Sequence, residues 1–170
     1  MKENRRRCKI NSTKKLKVII DSTYILPAFG IEIIGIDNQD LLKLENLRIN
    51  NKVEYYYSDI CWIEIIPIVY KEYRKKKLEL HDKTIEEVVK SIKETLKRIE
   101  INFKAIKIAA KLKKLGHKDM IDNLLYGAAI ENNYHLLTLD EKLRNFIKNK
   151  KLKSNLIINH KELFEITNEL

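Results

Sequence analysis

The apolar and polar positions divide this chain into short buried-strand runs separated by amphipathic helices. Lys17-Val18-Ile19-Ile20 is a compact apolar run closed by Asp21-Ser22-Thr23. Continuous apolar runs of this length suit a parallel strand covered on both faces. Val53 to Tyr57, rich in Val and Tyr, predicts a second strand. Between them a turn through Gly35-Ile36-Asp37-Asn38 leads into a helix with Leu41, Leu42, Leu44 and Leu47 inside and Asp40 or Asn38 as its cap. Ser58 is a natural N-cap for a helix beginning at Asp59, with Ile60, Trp62, Ile63, Ile66, Val69 and Tyr70 on an apolar face. Pro67 predicts a kink in it near Ile63 or Glu64.

Thr84-Ile85-Glu86-Glu87 reads as a capping box opening a helix that ends near Glu100. Another helix, from about Asn102 to Leu115, places Phe103, Ile106, Ala109, Ala110 and Leu112 inside, with Gly116 as its stop. With lysines outward, this pair is a candidate lid or partner surface. Asp119 to Asp140 then predicts a helix, a turn at Asn132-Asn133 and a buried strand over Tyr134-His135-Leu136-Leu137-Thr138. A short helix over Glu141 to Ile147, a strand at Leu156-Ile157-Ile158 and an Asn159-capped helix burying Leu163, Phe164 and Ile166 close the chain. Alternating strands and helices, with at least four strands, predict an α/β fold around a parallel, helix-covered sheet.

Composition narrows the partners. The 170 residues allow one domain with a real core, and 44% hydrophobic with 34% charged residues is globular. A net charge of +10 points to a polyanion, nucleic acid before an anionic membrane surface. No run approaches the roughly 20 apolar residues that cross a bilayer. Residues 1–16 form a basic tail in which Arg5, Arg6, Arg7, Lys14 and Lys15 are candidate phosphate contacts, leaving 17–170 as the domain. The N-terminus has charge but no apolar core, so it is not a secretory signal. Cys8 and Cys61 are too few for a disulfide framework, and the cytoplasm is the expected compartment.

Four acids hold comparable places: Asp21 after the first strand, Glu64 among isoleucines in a helix, Asp122 at a helix start and Asp140 after a later strand. Two of them have a plain alternative, a helix cap for Asp21 and a lysine salt bridge for Glu64. Asp119 reads chiefly as a cap, with a place in a metal shell as its second role. If the four converge, two carboxylates about 5 Å apart repel by roughly 3 kcal/mol at an effective dielectric of about 20. Summed over a cluster, that approaches the roughly 5–15 kcal/mol that holds a domain folded. A divalent cation relieves it, and oxygen ligands select Mg²⁺ or Mn²⁺. Such a metal in a basic protein suggests phosphodiester hydrolysis.

In order along the chain, Ile20-Asp21-Ser22-Thr23, the helix start from Ser58 to Glu64, the Asp122 helix with Gly127-Ala128-Ala129, and Leu137-Thr138-Leu139-Asp140 resemble the motifs of PIN-domain nucleases. The resemblance covers roughly residues 17–166. It implies a three-layer α/β/α fold with a central, mostly parallel sheet, and a metal-dependent endoribonuclease whose acids bind one or two Mg²⁺ or Mn²⁺ ions and activate the attacking water. Asp21, Glu64, Asp122 and Asp140 take those positions, and Ser22 and Thr138 match the hydroxyls beside them. Many members of the family are toxins paired with an antitoxin; others process ribosomal RNA or have lost activity. RNA is the implied substrate, with a second copy or an antitoxin protein as further partners.

Other readings differ in chemistry. An aspartyl-phosphate phosphotransferase requires a second Asp two residues beyond Asp21, where Thr23 stands. Dinucleotide binding requires G-x-G-x-x-G after the first strand, which is absent. The rival of another class is a catalytically inactive RNA- or protein-binding module of the same fold, which metal-dependent cleavage would distinguish. His81, His117, His135 and His160 are scattered along the chain and read as structural or surface groups.

Overall fold

The first apolar run becomes the central strand. In a computed structural model, which describes residues 15–168, β1 (Leu16–Ile20) buries Val18, Ile19 and Ile20. Four more strands join it: β2 (Val53–Tyr57), β3 (Lys97–Arg98), β4 (His135–Leu137) and β5 (Ile157–Ile158). The sheet order is β3-β2-β1-β4-β5, and every pairing is parallel. Helices flank the sheet in a three-layer α/β/α arrangement. They are α1 (Asn38–Ile49), α2 (Trp62–Lys75), α3 (Asp82–Thr95), α4 (Phe103–Lys114), α5 (Met120–Asn132), α6 (Glu141–Asn149) and α7 (His160–Asn168).

This order decides where a ligand can sit. The chain runs from β1 outward to β2 and β3, then returns to place β4 and β5 on the other side of β1. The reversal falls between β1 and β4, and a crevice outside the carboxyl ends of such a strand pair is the usual ligand position in an open α/β sheet. Ile20 is level with Leu137, so Asp21 and Thr138 emerge side by side.

Several local expectations change. Asp37, not Asp40 or Asn38, is the N-cap of α1, and Asp40 completes a reciprocal box with it. Leu42 is exposed, leaving Leu44 as the buried anchor of α1. On α2 the buried stripe is Ile65 and Val69, while Ile63 and Tyr70 face solvent. The helix continues through Pro67. Ile63, whose carbonyl would have met the missing proline N–H, is 68% exposed, so water can satisfy that group. No Thr84 capping box forms: α3 starts after His81 without a side-chain cap and stops at Thr95.

The expected helical pair is not one. β3 interrupts it by pairing with Tyr56 and Tyr57 of β2, and α4 packs along α5 instead. Ala105, Ala109 and Leu112 are the buried face of α4, while Phe103 and Ile106 are exposed. The reason is steric. At Gly127 the two helices approach so closely that a Cβ would overlap the Ala105 carbonyl oxygen, and only small side chains fit such a crossing. Arg5, Arg6, Arg7 and Lys14 of the basic tail lie outside the described residues, Lys15 is exposed, and Leu16 already pairs in the sheet.

Gly127→Ala is expected to lower stability by about 1–3 kcal/mol through overpacking. Urea unfolding should show a lower midpoint with unchanged slope; an unchanged midpoint would mean that α4 and α5 separate without cost.

Candidate functional site

Asp21 leaves β1 with its amide donating to the Leu137 carbonyl of β4 at 3.1 Å. Only 5% of the residue is exposed. Its carboxylate accepts from Thr138 Oγ1 at 2.8 Å and Thr23 Oγ1 at 3.4 Å, and Ser22 Oγ lies 3.0 Å away. Although Asp21 precedes a short 3₁₀ turn, Ser22–Tyr24, its side chain makes no cap bond there, so the capping alternative does not hold.

Thr138 fastens the two strand ends together. The buried Thr138 hydroxyl donates to Asp21 and accepts from the Asp140 amide at 3.0 Å. Asp140 in turn caps α6 through the Leu143 amide at 2.8 Å. From the first turn of α2, Glu64 reaches Ser22, whose hydroxyl lies 2.7 Å from Glu64 Oε2. One hydroxyl carries one proton, so it cannot donate to Glu64 and Asp21 together. Both short contacts are satisfied only if one carboxyl is itself protonated.

Asp122, 8% exposed, enters from the first turn of α5. Asp119 caps that helix, accepting from the Ile121 and Asp122 amides at 2.9 and 3.2 Å. Asp21, Ser22, Thr23, Glu64, Asp119, Asp122, Leu139 and Asp140 line one open pocket of about 240 Å³. The four acids singled out from the sequence therefore share a pocket with Asp119. Thr23 also lines it and was not singled out. Its place two residues after Asp21 was the available signal.

The electrostatics follow from this crowding. Asp122 is pushed up to about 8, first by burial and then by the charges of Asp21, Asp119, Asp140 and Glu64. Burial also raises Asp21, against the opposing hydrogen bonds from Thr138 and Ser22. Burial raises Glu64 as well, offset by the Ser22 hydroxyl and reinforced by Asp21. Among the described residues, none of the five acids forms an ion pair with a lysine, arginine or histidine. The expected lysine partner of Glu64 is thus not found there. The acids line a shared wall rather than a closed cage: among the described residues no three His, Cys, Asp or Glu side chains are set to hold an ion as they stand. The donor set still suits a hard divalent cation, because it is all oxygen and its negative charge is uncompensated.

A carboxyl whose folded pKa exceeds its unfolded value binds its proton more tightly in the native state. Its contribution is greatest below the unfolded value and declines as pH rises through the folded one, here about 8. With a chelator present, unfolding free energy should fall by about 1 kcal/mol between about pH 6.5 and about pH 8.5, allowing for screening at the pocket mouth. Asp122→Asn should flatten that fall. Identical pH profiles for the two proteins would contradict the assignment.

No protein-family model matches the sequence, and no curated protein matches it. Solved structures do match in shape. PAE2754 from Pyrobaculum aerophilum superposes with a TM-score of 0.58 at 12% identity, covering 91% of this chain and 97% of that one. VapBC2 from Rickettsia felis, solved bound to a DNA fragment from its promoter, gives 0.55 at 17% identity, covering 85% and 98%. DNA-bound VapBC from Salmonella typhimurium gives 0.56 at 15% identity, again covering 85% and 98%. At these identities the likeness speaks for architecture. With its parallel five-stranded sheet and flanking helices, this chain has the PIN-like α/β/α fold.

Proposed function

We propose that this protein is a metal-dependent endoribonuclease that hydrolyses RNA phosphodiester bonds. The observation that carries the reading is the carboxylate pocket at the β1–β4 reversal: five acids share it, and among the described residues no cation neutralises them. Asp21, Glu64, Asp122 and Asp140 would hold Mg²⁺ or Mn²⁺, with Asp119 at the rim. When bound, such an ion supplies Lewis acidity toward a phosphate and a lowered pKa for its water.

The chain's own groups have separate tasks. Thr138 and Ser22 aim the Asp21 and Glu64 oxygens into the pocket through the hydrogen bonds above. Asp122, pushed up to about 8 by its surroundings, would hold its proton near neutral pH and would lose it to a cation held beside it. Asp119 and Asp140 have one carboxylate oxygen each tied to a helix start, which limits their motion. Net charge favours a nucleic-acid substrate, with Arg5, Arg6, Arg7, Lys14 and Lys15 near the N-terminus as candidate phosphate contacts.

The VapBC likeness supports a protein antitoxin as partner, the exposed Phe103 and Ile106 support self-association, and a cytoplasmic setting suits both. Among the described residues no helix is long and apolar enough to cross a membrane. One observation favours the non-catalytic reading, an RNA- or protein-binding module: no three of the acids are already set to hold an ion.

Purified protein should cut a structured RNA with Mg²⁺ or Mn²⁺ and not with EDTA. Thr138→Ala, which removes a positioning hydrogen bond, should slow cleavage about 10–100-fold. Asp21→Asn should cost more than that. Metal-independent cleavage, or cleavage that survives Asp21→Asn, would defeat the proposal, and RNA binding without any cleavage would favour the module.

A further inference from the structure

The first turn of α7 makes two contacts that lead back to the acids. Glu162 forms a reciprocal box with Asn159 there: it accepts the Asn159 amide at 2.7 Å, and its own amide donates to Asn159 Oδ1 at 3.0 Å. The same carboxylate accepts both terminal nitrogens of Arg144, at 2.8 and 2.7 Å. The Arg144 side chain is only 10% exposed. It stands one turn beyond Asp140 on α6, and its amide donates to the Asp140 carbonyl at 3.1 Å. On the other side, the His160 amide donates to Tyr24 Oη at 3.2 Å, and His160 Nδ1 lies 3.0 Å from that oxygen. Both residues are buried, and Tyr24 ends the 3₁₀ turn that starts beside Asp21.

These contacts close a ring. From Asp21 the path runs through Thr138 Oγ1 to the Asp140 amide and along the first turn of α6 to Arg144. It then crosses to Glu162 and His160 and returns through Tyr24. The short side of the ring is a single hydroxyl. The sheet adds little stiffness there, because β4 has three residues and β5 two, against roughly five or six in a common strand. A bidentate arginine–carboxylate pair fixes orientation as well as distance, so it holds α6 against the start of α7.

We infer that Arg144 and Tyr24 are positioning residues of the carboxylate pocket: through the start of α7 they fix how far the Asp140 carboxylate stands from that of Asp21. The inference rests on the metal-binding reading above, since a small hard cation accepts little error in ligand distance. Asp140 commits one oxygen to the Leu143 amide, so the direction of its other oxygen follows that of α6. Neither Arg144 nor Tyr24 lines the pocket; both act through the backbone that carries the acids. Tyr55 is the matched contrast. It is another buried tyrosine, but its hydroxyl donates to the Leu44 carbonyl of α1 at 3.1 Å, and α1 supplies no acid to the pocket.

The test uses the full chain and Mn²⁺ alone, with affinity read by calorimetric titration and folding by urea unfolding of the same samples. Arg144→Met should weaken Mn²⁺ binding about tenfold, the low end for groups that orient a metal's ligands. Arg144→Lys, which keeps the charge but not the bidentate geometry, should recover part of that loss. Should Arg144→Met not fold, Arg144→Lys is read in its place against the unaltered chain. Tyr24→Phe should also weaken binding, whereas Tyr55→Phe should lower the urea midpoint and leave Mn²⁺ affinity unchanged. A ring that only braced the fold would move the midpoints and not the affinities. Unchanged affinity in the Arg144 and Tyr24 variants, an equal loss in Tyr55→Phe, or no Mn²⁺ binding by the unaltered chain would overturn the inference. The two readings fail separately. Mn²⁺ binding that depends on Arg144 and Tyr24, without RNA cleavage, keeps the positioning role and removes the nuclease. Metal-dependent cleavage with an Mn²⁺ affinity indifferent to both residues does the reverse.

Discussion

The parallel pairing of β1 with β4 is the constraint on which the site depends. Their register sets Ile20 beside Leu137, and the next residues, Asp21 and Thr138, meet at 2.8 Å. A slip of one residue would turn every side chain of the strand to the opposite face of the sheet. It would bury Asp21 without a hydroxyl and leave Thr138 without an acceptor. The buried run Val18-Ile19-Ile20 resists that slip, because it is fixed between neighbours on both sides. Apolar packing along β1 thus positions a charged group that the packing alone would exclude.

The pocket is locally unfavourable, and its neighbours show how the fold bears it. Hydroxyls from Thr23 and Thr138 solvate Asp21 in place of water, and the Ser22 hydroxyl is shared between Asp21 and Glu64. Backbone amides at two helix starts do the same for Asp119 and Asp140, where the helix dipole also favours negative charge. Asp122 has neither kind of support, and it is the acid pushed up to about 8. Strongly shifted groups in a cleft are a mark of functional sites, since a structure selected for stability alone would replace them. Among the described residues, the protein's ion pairs leave these acids unmatched.

Much of this was legible in the sequence because strand ends and helix starts carry local signals. An apolar run followed by an acid located Asp21 and Asp140, and the Asp119-x-x-Asp122 spacing located the start of α5, which Asp119 does cap. The strand β3 left no such signal. It consists of two exposed cations whose backbone pairs with Tyr56 and Tyr57, and backbone pairing does not depend on side-chain pattern. The inner face of α4 departs in part from the sequence reading for a related reason: Ala109 and Leu112 are buried as expected, but Phe103, Ile106 and Ala110 are exposed and Ala105 takes their place. Phe103 and Ile106 are the larger residues, but the close crossing at Gly127 selects the small face of Ala105 and Ala109. Whether separated acids meet is a matter of topology, and the order β3-β2-β1-β4-β5 answers it.

At the centre of this account is Asp122, pushed up to about 8 by burial and by other acids, whose proton a bound cation would displace. Calorimetric titration with Mn²⁺ in two buffers of different ionisation enthalpy measures that directly, as protons released per ion bound. Release of roughly one proton at about pH 7, fading toward about pH 9.5, is the expected result. Binding with no proton release at about pH 7, or no Mn²⁺ binding at all, would contradict it.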